Sequence, residues 1–327
     1  MTPLSFQDCK TLIEEKIASF ALDQRLPSGL YEPAGYQMGL GGKRIRPILA
    51  LMGCNLFSDD VEPALMPAIA METFHNFTLV HDDIMDHALV RRGSPTIHTR
   101  WSPNTAILSG DTLCILAYEY LAQTSPELVP RILEIFNRMA LQVCEGQQYD
   151  MDFETRCEVS YAEYMKMIEY KTAVLQAVSL QIGALCGHAS EEEAEKLYCF
   201  GRNLGLAFQI QDDLLDVYAD EAVFGKAIGG DIRENKKTWL VIKALELARG
   251  TRLKILQSAL RGEIEHPDEK YRQVREVYDD LNIATLAERE ISRLFEQAMS
   301  GLKGVEVTSE RKTELKKLAA GLIRRKK

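Results

Sequence analysis

Apolar residues recur three and four positions apart along most of the chain, and no stretch alternates apolar and polar residues as a half-buried strand would. Phe6–Leu22, Pro47–Phe57, Pro67–Asp86, Asn104–Ala122, Pro130–Glu145 and Tyr161–Cys186 all carry this helical spacing. A chain patterned this way can bury its apolar faces only helix against helix. With 327 residues, 46% of them hydrophobic, it can build a large core without covalent staples. No linker divides it into parts of different composition, so the expectation is one all-α domain over residues 1–327.

Boundary signals agree with this reading. Ser190 followed by Glu193 is a capping box, opening a helix through Phe200, Leu204 and Phe208. Arg92-Gly93-Ser94-Pro95 breaks the chain after residue 86, and Gly225, Gly229 and Gly230 mark a later loop. Beyond Gly301 and Gly304, a last amphipathic helix runs from about Ser309 to Ile323.

Several classes of function are disfavoured. A net charge of −9 and a pI near 5.4 lack the basic footprint of a nucleic-acid binder. Seven singly scattered cysteines, without a C-x-x-C pair, argue against a disulfide framework or structural zinc and for a reducing, cytoplasmic setting. The N-terminus does not read as a signal peptide, and no run is apolar enough for integral membrane association.

Two acidic clusters stand out, Asp82-Asp83-Ile84-Met85-Asp86 and Asp212-Asp213-Leu214-Leu215-Asp216. On a helix, residues i and i+4 share a face, so Asp82 projects with Asp86 and Asp212 with Asp216. Each like-charge pair costs the helix roughly 0.2–0.5 kcal/mol, which a bound cation would offset. Mg²⁺ takes one or two carboxylates and completes its shell with water and phosphate oxygens. A solvated acidic face explains one such cluster equally well. Two of them, flanked by Phe74, Phe77 and Val80 and by Leu206, Phe208 and Ile210, point to metal binding beside a core.

Basic residues accompany both clusters. Gly41-Gly42-Lys43-Arg44-Ile45-Arg46-Pro47 is a glycine turn into a helix, with Lys43 and Arg46 on one side. Arg91-Arg92 follows the first aspartates, and Lys226 and Lys236 follow the second. Cations at a helix end often only answer its dipole. Sets beside both acidic clusters suggest a polyphosphate gripped between two metal-binding walls.

In these motifs (GGKRIRP, HNFTLVHDDIMD then RRG, GQQYD, YKT, FQIQDDLLD, GKAIGGD and NKK, in that order) the chain resembles the trans-isoprenyl diphosphate synthases, the farnesyl and geranylgeranyl diphosphate synthase family. The resemblance implies a homodimer of all-helical subunits, with the two D-D-x-x-D motifs facing each other across a deep cavity and about three Mg²⁺ ions on the allylic diphosphate. Asp82, Asp86 and Asp212 would bind metal, with Asp213 and Asp216 supporting. Arg91, Lys171, Lys226 and Lys236 would hold the allylic diphosphate, with Gln147 and Asp150 a polar pair near the first metal wall. Lys43, Arg46, His75 and Arg92 would hold isopentenyl diphosphate. Thr172 and Gln209 would turn their oxygens to the allylic cation. The implied reaction is ionisation of the allylic diphosphate, attack by the isopentenyl double bond, and loss of a proton. The terminal Arg324–Lys327 segment is similar to family tails that close over substrate, or is an ordinary basic end.

Met71, Phe74 and Phe77 lie eleven, eight and five residues before Asp82, on one helix face, and read equally as core or as the floor of a product cavity. An aromatic floor at Phe77 favours a C15 product, farnesyl diphosphate, with C20 or longer as the alternative. The chain differs from the usual short-chain bacterial pattern in having no two-residue insertion in the first cluster. A remote rival is an HD-type phosphohydrolase built on His75, His81 and Asp82, which leaves the second cluster unused. A terpene cyclase or a non-catalytic partner subunit is expected to lack one intact cluster, and both are intact here.

Overall fold

The computed structural model describes residues 3–156, 158–219 and 228–323, and nearly all of its regular structure is helical. The chain divides into two compact units, one of residues 1–137, 178–198 and 305–315, the other of 138–177, 199–304 and 316–327.

In the first unit, α1 (Phe6–Ser19) opens on a capping box in which the Asp8 amide donates to Ser5 Oγ and the Ser5 amide to the Asp8 carboxylate. α2 (Ser28–Gly39) and α3 (Ile45–Asn55) precede the long α4 (Glu62–Met85). α4 begins a turn before the expected Pro67, because Pro63 is the proline that occupies its first turn. Its inner face, including Leu65, Ile69, Met71 and Phe74, is buried. A two-residue hairpin follows, Val90–Arg91 paired antiparallel with Ser94–Pro95. Its turn residues Arg92 and Gly93 both have positive φ, the geometry of a tight primed turn. This strand pair is too short to leave a period-two pattern, which is why the sequence shows only breakers there. α5 (Ile97–Arg100) and α6 (Pro103–Leu121), capped by Ser102, complete this run. α3 approaches residues 180–187 so closely that a Cβ on Gly183 would lie 1.9 Å from the Ala50 carbonyl oxygen.

In the second unit, α7 (Val129–Thr155) contributes its C-terminal part and runs ten residues beyond the expected Glu145. The expected single helix from Tyr161 to Cys186 is instead α8 (Tyr161–Ile168), a π-helical turn (Glu169–Ala173) and α9 (Val174–Cys186), whose residues from 178 on belong to the first unit. Two glycines make room for that turn. A Cβ on Gly146 would lie 2.4 Å from the Lys171 nitrogen, and one on Gly205 2.7 Å from Ala173 Cα. α10 (Glu191–Tyr218) belongs to this unit from residue 199 on; it starts where the Ser190 signal places it, with the Glu193 amide donating to Ser190 Oγ. α11 (Gly230–Arg233), α12 (Trp239–Leu247), α13 (Thr251–Leu260), α14 (Pro267–Asp280) and α15 (Ile283–Lys303) follow. Their core includes Phe153, Met167, Ile210, Trp239, Tyr278 and Ile283. The last helix, α16 (Thr313–Ile323), starts four residues after the expected Ser309. No helix among the described residues is long and apolar enough to cross a membrane.

Candidate active site

The first acidic cluster ends α4. Asp82 is half-buried and Asp86 exposed, but Asp83 between them is buried and accepts a hydrogen bond from Arg91 Nε at 2.6 Å. Burial pushes the Asp83 carboxyl up, and the Arg91 guanidinium partly offsets it. The second aspartate of the cluster therefore anchors an arginine, while the first and last are the more accessible pair.

The glycine turn and the hairpin meet. Arg92 donates to the Gly41 carbonyl, and a Cβ on Gly42 would come within 2.8 Å of Arg92 Cζ. At φ +126°, position 42 also requires glycine on backbone grounds. Arg44, which the sequence did not single out, adopts left-handed backbone and is buried. Its guanidinium donates to Glu72 at 2.7 Å, Glu14 at 2.9 Å and the Met38 carbonyl at 2.6 Å. That strut leaves Lys43 exposed on one side and Arg46 at the start of α3 on the other. Arg46 Nη1 lies 2.9 Å from His75 Nε2. Burial, with Arg46, Arg92, Arg91 and Arg44 nearby, holds His75 well below the usual imidazole range. A neutral His75 then accepts through Nε2 and carries its hydrogen on Nδ1. Burial also draws Arg46 down to about 10, which leaves it charged at neutral pH, and its Nε is buried with no hydrogen-bond partner among the described residues.

The second cluster, near the end of α10, repeats the division. Asp212 and Asp216 are half-buried, and Asp213 is buried with both oxygens engaged. Asp213 Oδ1 accepts from Gln209 Nε2 at 3.2 Å, and Oδ2 accepts from the Tyr164 hydroxyl at 2.5 Å and the Trp239 amide at 3.0 Å. Burial and the neighbouring Asp231 push Asp213 up to about 7 and Asp216 up to about 6. Asp216 Oδ2 accepts the Asp231 amide at 3.1 Å. Burial would lower Lys236, but Asp231 (3.5 Å away), Asp150 and Asp213 together raise it. On the π-helical turn, Lys171 Nζ meets Asp150 at 2.5 Å, and the Thr172 hydroxyl donates to Gln209 Oε1 at 3.1 Å. Lys171, Thr172, Gln209, Asp213, Asp150 and Lys236 share a cavity of about 80 Å³. Gln147 lies one turn before Asp150 on α7, half-buried. π-helical turns inside helices often mark functional sites, and this one carries two candidates.

Lys226 and the Arg324–Lys327 tail lie outside the described residues. Among the described residues no three or more His, Cys, Asp or Glu side chains converge as a ready-made metal cage. Of the candidate floor residues, Met71 is fully buried and Phe74 is 2% exposed, stacked edge-on against Phe136 at 5.1 Å. Phe77 is half-buried, between Phe74 at 5.3 Å and His81 at 4.9 Å. Sequence reasoning missed Asp231, Tyr164 and Arg44. Asp231 was legible in Gly-Gly-Asp at the start of α11. Tyr164 carried no local signal, because its partner is 49 residues away.

A family model, "Polyprenyl synthetase", matches residues 27–280. The chain belongs to that family. It is 43% identical over 241 residues to a geranylgeranyl diphosphate synthase of Methanosarcina mazei, covering 72% of this chain and 74% of that one. It is 38% identical over 252 residues to a geranylfarnesyl diphosphate synthase of Natronomonas pharaonis, covering 71% and 73%. A crystal structure of a geranylgeranyl pyrophosphate synthase superposes with a TM-score of 0.93 at 40% identity, over 99% of this chain and 100% of that one. The protein is thus a prenyltransferase with the all-α isoprenoid synthase fold, an isoprenyl diphosphate synthase of the short-chain type. The HD-type alternative falls away, since His75 is taken by Arg46, and His81 Nε2 lies against α6, 3.3 Å from the Ile107 carbonyl.

Proposed function

We propose that the protein condenses an allylic diphosphate with isopentenyl diphosphate to a C20 product, geranylgeranyl diphosphate. The observation that carries this is the end-to-end match to a geranylgeranyl pyrophosphate synthase. It favours the longer alternative over the C15 product that Phe77 alone suggests. By helix rise, Phe77 sits only about 7.5 Å along α4 from Asp82, and Phe74 about 12 Å. Of the three, Phe77 is the one not closed into the core, which makes it the ring that a growing prenyl chain would meet.

Asp82 and Asp86, and Asp212 and Asp216, fit Mg²⁺, which binds through one or two carboxylates and substrate phosphates rather than an all-protein cage. When bound, the metal supplies Lewis-acid neutralisation of the leaving diphosphate. Asp83 and Asp213 act by positioning, because their oxygens already hold Arg91 and Gln209. Arg91, Lys171, Lys226 and Lys236 grip the allylic diphosphate, with Asp150 orienting Lys171 and Gln147 beside it. Lys43, Arg46, His75 and Arg92 hold isopentenyl diphosphate, and the buried Arg46 Nε is a donor that a phosphate oxygen would satisfy. The Thr172 and Gln209 oxygens, which line one cavity, face the developing cation. The 1–327 chain works as one polyprenyl synthetase domain, and as a homodimer through the exposed Ile107, Leu108 and Ile115 of α6.

Incubation with Mg²⁺, isopentenyl diphosphate and dimethylallyl, geranyl or farnesyl diphosphate, followed by mass analysis, tests the reading. A C20 end product is expected. Termination at C15 overturns the chain-length assignment, and phosphate release without extension overturns the whole. Light scattering that returns a monomer removes the dimer.

A further inference from the structure

A glutamine that must face a cation has a problem of orientation, because its carboxamide offers an oxygen and a nitrogen at nearly the same reach. At Gln209 the neighbours decide which end goes where. In its ionised form Asp213 accepts and cannot donate, so Oδ1 draws Gln209 Nε2 to 3.2 Å. The opposite end, Oε1, is left towards the Thr172 hydroxyl at 3.1 Å and the cavity that both residues line. Asp213 is itself held from turning, since Oδ2 takes the Tyr164 hydroxyl at 2.5 Å and the Trp239 amide at 3.0 Å. Tyr164 is only 2% exposed and sits on α8, just before the π-helical turn that carries Thr172.

We propose that Tyr164 is a positioning residue for chain elongation: by pinning Asp213 it fixes Gln209 with its oxygen, not its nitrogen, towards the forming allylic cation. The inference rests on the prenyltransferase reading above and on Gln209 as a cation-facing group. Its physical content is a sign. The amide oxygen carries partial negative charge and attracts the cation, whereas a flipped amide would present N–H groups and repel it, inside a cavity where such effects are strong. Two fixed donors on Oδ2 keep the carboxylate plane from rotating, so the Gln209 nitrogen has one favourable direction.

The test is a double-mutant cycle on kcat, with KM for both substrates, for wild type, Tyr164→Phe, Gln209→Leu and the two combined. Tyr164→Phe should lower kcat about tenfold, less than the loss of a directly contacting group. Both KM values should stay within about twofold, as for an interaction made only at the transition state. In the Gln209→Leu background Tyr164→Phe should cost nothing further, because it acts through that amide. An unchanged kcat in Tyr164→Phe, or losses that multiply in the combined variant, overturns the proposal. A wild type that extends no allylic primer overturns the prenyltransferase reading, and this inference with it. Should Tyr164→Phe not fold, Asp213→Asn replaces it. A carboxamide there offers its own N–H, turns the Gln209 amide round, and should give the same kcat-only, non-additive loss. A shifted Mg²⁺ requirement in Asp213→Asn would instead mark Asp213 as a metal ligand and overturn the assignment.

Discussion

Glu72→Ala should be among the most damaging single changes in the first unit. Arg44 and Glu72 are 1% and 2% exposed at their side chains and 2.7 Å apart, so removing the carboxylate strands a buried guanidinium. Breaking such a pair costs about 3–5 kcal/mol. Arg44 keeps Glu14 at 2.9 Å and the Met38 carbonyl at 2.6 Å, which places the expected loss near the lower end, about 3 kcal/mol. For a unit of this size that corresponds to a drop in Tm of about 6–12 °C. Glu14 is 39% exposed, so Glu14→Ala alone should cost about 1 kcal/mol or less. Removing both carboxylates should cost more than the sum, since the last counter-charge of Arg44 then disappears. Thermal unfolding followed by circular dichroism, with a refolding control, measures all three. Because Arg44 braces the loop between Lys43 and Arg46, KM for isopentenyl diphosphate should rise in Glu72→Ala while that for the allylic substrate holds. Equal losses in Glu72→Ala and Glu14→Ala would refute the reasoning, as would a Glu72→Ala loss below about 1 kcal/mol.

Gly42→Ala should raise KM for isopentenyl diphosphate at least about tenfold, since the new Cβ collides with Arg92 Cζ and the φ of +126° is strained for alanine. Steady-state kinetics with each substrate varied in turn checks it, and an unchanged KM would disconnect Arg92 from that site. Phe77→Ala should lengthen the product without unfolding the protein. Phe74→Ala should instead cost about 3–5 kcal/mol, because that ring is buried against Phe136. Mass analysis and thermal unfolding of the two variants separate the roles, and an unchanged Phe77→Ala product would remove Phe77 from the cavity floor.

Much of this was legible along the chain. The helical class followed from apolar spacing, and the starts of α1, α6, α8 and α10 follow from serine caps whose partners are three residues away. Local chemistry failed where distant packing intervenes. The π-helical turn at Glu169–Ala173 looks like ordinary helix because its cause is partly Gly146 and Gly205 on other helices. In Lys43-Arg44-Ile45-Arg46 the spacing sets Lys43 and Arg46 on one side, but that Arg44 is a buried strut depends on Glu14 and Glu72, which are distant in the chain. Product length is a similar case, where the relatives favour the C20 alternative over the C15 product read from Phe77. A one-helix argument from Phe77 cannot tell an occluding ring from one that still has room.

The sequence by itself determined that the protein is helical and that its acidic residues pair in two D-D-x-x-D clusters, because helical spacing and carboxylate pairing are set within four residues. Only the tertiary structure decided which aspartate in each cluster is withdrawn into the core. Asp83 and Asp213 are chemically the same as the other aspartates of the clusters, yet they alone of these are buried, against Arg91, Tyr164, Gln209 and Trp239. Burial is a property of what other helices bring to a side chain, and that is not written in the residue itself.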